Sequence, residues 1–184
     1  MKPKLIIVTG NPLKFRELSS ELSKVFDCEQ GEIDSFEIQG TSEEILRHKL
    51  QQAFLKFKQP VLVDDTSVHF EELNGFPGPY MKDFFKCFPP YEMGIKFTGS
   101  RIQTISWLGL CRGKGDTVIV KGVLDGTVVT PKIKDPKGRE FDLFTQADGT
   151  DKPMIEFSTK EKNEFSHRGK AMKNLLKILK KKNK

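Results

Sequence analysis

Two short aliphatic runs, each joined to a helical repeat, constrain the fold more than anything else in this chain. Lys4-Leu5-Ile6-Ile7-Val8-Thr9 is apolar at consecutive positions and rich in β-branched residues, the pattern of a strand buried on both faces. It stops at Gly10-Asn11-Pro12, where Asn is a preferred helix cap and Pro a preferred first helical residue. Phe15, Leu18, Leu22, Val25 and Phe26 then recur at spacings of three and four, so a helix starting at Pro12 is predicted. Thr41-Ser42-Glu43-Glu44 has the form of a capping box, and Leu46, Leu50, Ala53, Phe54 and Phe57 make the stripe of a second helix closed by Gln59-Pro60. Val61-Leu62-Val63 is a second buried strand, predicted to end in Asp64-Asp65-Thr66. A chain that opens in this order is α/β with a sheet at its centre.

The middle of the chain reads differently. Gly75-Phe76-Pro77-Gly78-Pro79 is turn-forming and leads into a predicted helix from Tyr80 to Cys87. Residues 101–129 are strand-like, with Gly113, Gly115, Gly122 and Gly126 marking hairpins or bulges. Residues 132–139 read as a polar loop, and a last helix is predicted near Ser166 with Met172, Leu175, Leu176 and Leu179 on one face. No linker divides the chain, so residues 1–184 are expected to form one domain of two lobes sharing a long, mixed sheet flanked by helices. The cleft between the lobes is the expected active site.

Thirty-six per cent apolar residues, with fifteen Phe, suffice for a core and exclude a disordered chain, and no apolar run is long enough for a membrane span. The net charge of +6 suggests a nucleic-acid binder until it is located: residues 170–184 hold seven lysines and no acid. Without them 24 basic residues face 25 acidic ones, a balance of −1. The basicity belongs to a C-terminal helix end or tail. Cys28, Cys87 and Cys111 are odd in number and share no metal spacing, which fits a reducing, cytoplasmic setting.

Several segments carry polar groups that need an explanation. Thr9-Gly10-Asn11-Pro12-Leu13-Lys14 joins a strand to a helix N-terminus, a geometry suited to an anion, although an ordinary capped helix reads the same way. The spacing is not that of a P-loop. Asp64 and Asp65 end an apolar strand, where carboxylates can hold a hard cation or form a solvated turn; as strand neighbours they point to opposite faces. Glu37 alone reads as the outward face of a strand. Ser166-His167-Arg168-Gly169 lies at a helix start with Lys162 four residues earlier, which is also what a simple capped helix would show. His48 and His69 have no metal-ligand spacing, no GxSxG elbow exists, and Trp107 reads as core.

The order of four segments decides among these readings. Thr-Gly-Asn-x-x-Lys, Val-Leu-Val-Asp-Asp-Thr, Gly-Phe-Pro-Gly-Pro-Tyr-Met-Lys and Lys-Asn-Glu-Phe-Ser-His-Arg-Gly-Lys-Ala together resemble the inosine triphosphate pyrophosphatase family, over nearly the whole chain. The resemblance implies Mg²⁺-dependent (or Mn²⁺-dependent) hydrolysis of ITP, dITP and XTP to the monophosphate and pyrophosphate, by a homodimer. It implies a triphosphate cradle at Thr9, Gly10, Asn11 and Lys14, and phosphate lysines at Lys49 and Lys82. Glu37 and Asp65, with Asp64, would hold metal; Asp65 would activate water, and Thr66 would touch substrate. Phe141, Asp142, Lys162, His167 and Arg168 would meet or read the base. One segment departs from the family: Arg139-Glu140-Phe141-Asp142-Leu143 stands where Phe-Gly-Trp-Asp-Pro is usual, so base discrimination is expected to be looser. Two alternatives stand beside this reading: a nucleotide-binding protein with weakened or altered activity, and a polyanion or nucleic-acid binder acting through the lysine-rich tail.

Overall fold

The computed structural model describes residues 1–34, 38–135 and 138–182. Strand β1 (Lys4–Val8) leads into α1 (Pro12–Leu22), and β2 (Asp27–Gly31) returns beside it. Then follow α2 (Ser42–Phe57), β3 (Val61–Phe70), the two-residue β4 (Pro77–Gly78), α3 (Met81–Cys87) and α4 (Pro90–Lys96). Two 13-residue strands, β5 (Arg101–Gly113) and β6 (Asp116–Val128), form the longest hairpin. The chain closes with α5 (Glu140–Phe144), β7 (Thr145–Ala147), α6 (Thr159–Phe165) and α7 (His167–Lys182).

The strands make one seven-stranded sheet in the order β2-β1-β3-β5-β6-β7, with β4 beside β3. β1 pairs in parallel with both β2 and β3, whereas β3, β5, β6 and β7 run antiparallel. This is the mixed sheet expected, and the long β3, β5 and β6 run through both lobes. Around the parallel end, Leu5, Ile7 and Leu62 meet α1 and α7 through Leu18, Leu22, Met172 and Leu175. On the opposite face Ile6, Val8, Val61 and Val63 meet α2 through Leu46, Leu50 and Ala53. The second lobe is built from phenylalanine: Phe70, Phe84, Phe97 and Phe144 lie in one cluster, with tilted ring pairs such as Phe70–Phe97 at 5.1 Å.

The caps follow the sequence. Asn11 accepts from the amides of Leu13 and Lys14, Pro12 is the first helical residue, and Thr41 with Glu44 closes a reciprocal capping box. Other expectations need correction. Val25 lies past the end of α1 and is exposed. Trp107 is partly buried at the edge of the α2 cluster, with the Lys121 ammonium 5.2 Å from its ring centre. β3 does not stop at the acidic pair but continues to Phe70, because β5 pairs with it throughout. It is β1 that stops: its last partner on β3 is Val63. Asp64 and Asp65 are therefore the first residues of β3 to lose a parallel neighbour, and the chain turning from β1 into α1 opens space beside them.

Candidate active site

That space is a cavity of about 980 Å³ between the lobes. Lys14 on α1, Lys49 on α2 and Lys82 on α3 reach it from three helices, with Thr9, Gly10, Asn11, Asp64, Asp65 and Thr66 along its floor. Met81 and Phe85 of α3 and Phe141 of α5 add apolar surface to the lining. The lining thus combines lysines, carboxylates and aromatic rings, and two of the lysines, Lys14 and Lys49, are paired with Asp64 and Asp65.

The two aspartates face opposite sides of the sheet and live in different environments. Asp65 points toward α2, where Lys49 Nζ donates to Oδ1 at 2.7 Å. Its other oxygen, Oδ2, is buried and accepts no hydrogen bond among the described residues. A desolvated carboxylate oxygen without a donor costs free energy unless something else compensates it, so this atom is the natural seat for a cation or an acidic water. Asp64 points toward α1 and α7 and is saturated. Ser106 Oγ donates to its Oδ1 at 2.5 Å, while Lys14 Nζ (2.9 Å) and Arg168 Nη2 (3.1 Å) reach Oδ2. Burial would raise its pKa, but Arg168, Lys14 and these hydrogen bonds hold it well below the usual carboxylate range. Asp64, expected among the metal ligands, is here an anchor for two cations. Glu37, also expected to hold metal, lies outside the described residues, and among those described no three acidic, His or Cys side chains cluster to ligate an ion.

Arg168 opens onto a buried chain of alternating charges. Its Nη1 donates to Glu17 Oε2 at 2.5 Å, and Nη2 also reaches Thr66 Oγ1 at 3.2 Å. Lys162 bridges Glu17 Oε1 and Asp142 Oδ2, and Asp142 in turn accepts from Arg139 Nε at 2.9 Å. Burial would push the Glu17 carboxyl up; the charges and hydrogen bonds of Arg168 and Lys162 outweigh it and bring it down to about 2. Burial and then the neighbouring Arg168 push His167 down to about 3, which makes it a neutral imidazole at pH 7. Lys162, His167 and Arg168 therefore come together as the sequence suggests, but buried and outside the cavity lining. Sequence reasoning missed Glu17, the hub of this network. Its one signal was position: a carboxylate next to Leu18, on the face of α1 that turns inward.

Two close approaches set this geometry. A Cβ on Gly122 of β6 would lie 2.1 Å from the His167 carbonyl oxygen, and one on Gly169 would lie 2.2 Å from that of Asn163. Backbone packing at these glycines seats the first turn of α7 on the sheet and against α6. At the cradle, Asn11 Oδ1 already takes the amides of Leu13 (2.8 Å) and Lys14 (3.3 Å). Attraction for an anion there rests on the helix dipole and the lysines.

The model of the Ham1 family matches residues 5–178. The chain belongs to the Ham1 family. Among curated members, the inosine triphosphate pyrophosphatase of Encephalitozoon intestinalis is 36% identical over 179 residues, 94% of this chain and 90% of the relative. That of Phaeosphaeria nodorum is 33% identical over 175 residues, covering 93% and 91%. A solved Ham1 protein from Coxiella burnetii superposes with a TM-score of 0.80 at 21% identity, over 98% of this chain and all of that one, and shares its fold. In this Ham1-family chain the departure at Arg139 has a structural explanation: the guanidinium turns away from the cavity to bind Asp142 and the carbonyls of Met154 and Phe157 at 3.0 and 3.1 Å.

Proposed function

We propose that this chain hydrolyses ITP, dITP and XTP to the nucleoside monophosphate and pyrophosphate. The observation that carries the reading is a cavity lined by three lysines, by Asp65 with one buried carboxylate oxygen lacking a donor, and by the rings of Phe85 and Phe141. It is supported by relatives that bear the name inosine triphosphate pyrophosphatase. A triphosphate at neutral pH needs several positive charges, and Lys14, Lys49 and Lys82 supply them from three separate helices.

Asp65 is the residue to which we assign the chemistry. Lys49 fixes Oδ1, so Oδ2 is held in one direction without a donor, on a residue that lines the cavity. From there it can orient a water and accept its proton as the oxygen attacks the α-phosphorus and pyrophosphate leaves. A divalent cation, Mg²⁺ or Mn²⁺, would be held by Asp65, with Glu37 and the neighbouring Asp64 as further acidic groups, and would neutralise phosphate oxygens. Thr9, Gly10, Asn11 and Thr66 line the phosphate end. Lys162 supports base recognition from behind, because it fixes Asp142 and through it the helix that carries Phe141, while Arg168, next to His167, shares Glu17 with Lys162. Most of the rate comes from positioning and charge stabilisation.

The homodimer implied by the family resemblance is part of the proposal, to be checked by light scattering. So is a cytoplasmic location: no helix among the described residues is long and apolar enough to cross a membrane. Lys170, Lys173, Lys177, Lys180 and Lys181 are exposed along α7, and a specific nucleic-acid role is not proposed for them. The deciding experiment is a panel of ITP, XTP, dITP, ATP, GTP, dUTP and CTP with Mg²⁺, read by pyrophosphate release. Higher kcat/KM for ITP and XTP than for ATP supports the reading; no pyrophosphate from ITP or XTP refutes it.

A further inference from the structure

The aromatic part of the cavity lining departs from the family's sequence pattern. Arg139 and Glu140 occupy positions where the base wall was anticipated, and the structure removes Arg139 from that wall. All three of its hydrogen bonds run to Asp142, Met154 and Phe157, so its planar face is committed elsewhere. Phe141 keeps its place in the lining, and the ring beside it is Phe85 of α3, with centroids 5.5 Å apart and planes inclined by 51°. Both rings are only partly buried. Phe85 also touches Phe144 at 6.4 Å near edge-on, which ties it to the core of the second lobe and limits its rotation.

We infer that Phe85 is a base-binding residue: with Phe141 it forms an aromatic corner that receives the substrate's base, where Arg139 does not reach. The inference rests on the proposed hydrolysis of nucleoside triphosphates and deepens it. Two inclined rings offer a base one face to stack on and a second ring's edge against its own. They also exclude water from that corner, so the base contributes binding that a bare polyphosphate cannot gain. Lys82 lies three residues before Phe85, one turn of α3 away, so this single helix reaches toward both ends of the ligand. Placement of the base and placement of the phosphates are coupled through α3. The corner is sequence-tolerant among purines, since every base has a π-face. Phe85 therefore sets how tightly a base is held, and the distinction between 6-oxo and 6-amino purines must come from other groups.

The test compares wild type with Phe85→Leu, which nearly conserves volume, and Phe85→Tyr, which keeps the ring. ITP is the substrate, and inorganic tripolyphosphate, which has no base, is the competitive inhibitor. We expect Phe85→Leu to raise KM for ITP about five- to a hundredfold, with the tripolyphosphate inhibition constant unchanged within about twofold and Phe85→Tyr near wild type. An unchanged KM in Phe85→Leu overturns the inference. So does an equal loss for tripolyphosphate, which would mean that the helix had moved. Calorimetric titration of ITP without turnover, run on the same three proteins, keeps the two proposals separate. If wild type binds ITP but releases no pyrophosphate, the hydrolysis reading fails, and the ratio of dissociation constants still decides whether Phe85 holds the base.

Discussion

Glu17→Gln is the most direct test of the buried network, because Gln keeps the shape and removes only the charge. In the wild type, the Glu17 carboxyl bridges Arg168 and Lys162 with its side chain 7% exposed. A carboxyl whose pKa falls from 4.5 to about 2 on folding contributes roughly 3 kcal/mol at neutral pH. Removing one member of a buried ion pair costs about 3–5 kcal/mol. Arg168 and Lys162 each retain a second acid, Asp64 and Asp142, so the lower end is expected. Because the folded pKa is the lower one, this stability is present above pH 4.5 and is lost as pH falls toward 2. Asp64 and His167 also lose stability on acidification, so the quantity to follow is the difference between variant and wild type. Urea unfolding at pH 7 should show a gap of about 3 kcal/mol, narrowing by roughly 2 kcal/mol at pH 3. A gap below about 1 kcal/mol at pH 7, or one that does not narrow, would refute the reasoning.

Asp65→Asn should leave the fold intact and lower kcat for ITP by about two orders of magnitude or more; near wild-type turnover in Mg²⁺ removes Asp65 from the mechanism. Lys14→Ala should weaken triphosphate binding about ten- to a hundredfold and monophosphate binding much less, as measured by calorimetry; equal losses would place Lys14 away from the β- and γ-phosphates. Gly122→Ala forces a Cβ to within 2.1 Å of the His167 carbonyl, so a clear fall in melting temperature is expected together with reduced activity, and an unchanged melting curve would contradict the packing described. Arg139→Phe should destabilise the protein, by about 1–3 kcal/mol for its lost charge-assisted hydrogen bonds, without widening the ITP-to-ATP ratio of kcat/KM; a widened ratio would mean that the side chain at this position faces the base.

The parts of the fold legible in the sequence were those where one local signal sufficed. Asn11-Pro12 and Thr41 with Glu44 marked helix starts, and the runs at β1 and β3 marked strands buried on two faces. The elements that escaped detection lack such a signal. β2 reads Asp27-Cys28-Glu29-Gln30-Gly31 because among the described residues it is the sheet's edge, paired with β1 alone, and a strand with little to bury has no apolar pattern. α4 and α6 have seven residues each, too short for a periodicity to emerge. The end of β3 was misplaced because acidic residues resemble a turn when the antiparallel partner that continues the strand lies some forty residues away, as Asp64↔Leu108 does.

The site shows the same division between local and non-local information, and it explains why two adjacent aspartates differ. Nothing in Val-Leu-Val-Asp-Asp-Thr distinguishes them except parity. Parity sends Asp64 to the face covered by α1 and α7, where Lys14 and Arg168 wait, and Asp65 to the face covered by α2, where Lys49 takes one oxygen. Asp64 therefore spends one oxygen on Ser106 of β5 and the other on Lys14 and Arg168, which holds α1 and α7 against the sheet, while Asp65 keeps one oxygen without a donor. Exchanging their roles would require a one-residue slip of β3, which would also turn Val61 and Val63 away from α2. The register that buries the core is thus the register that selects which carboxylate is free to act.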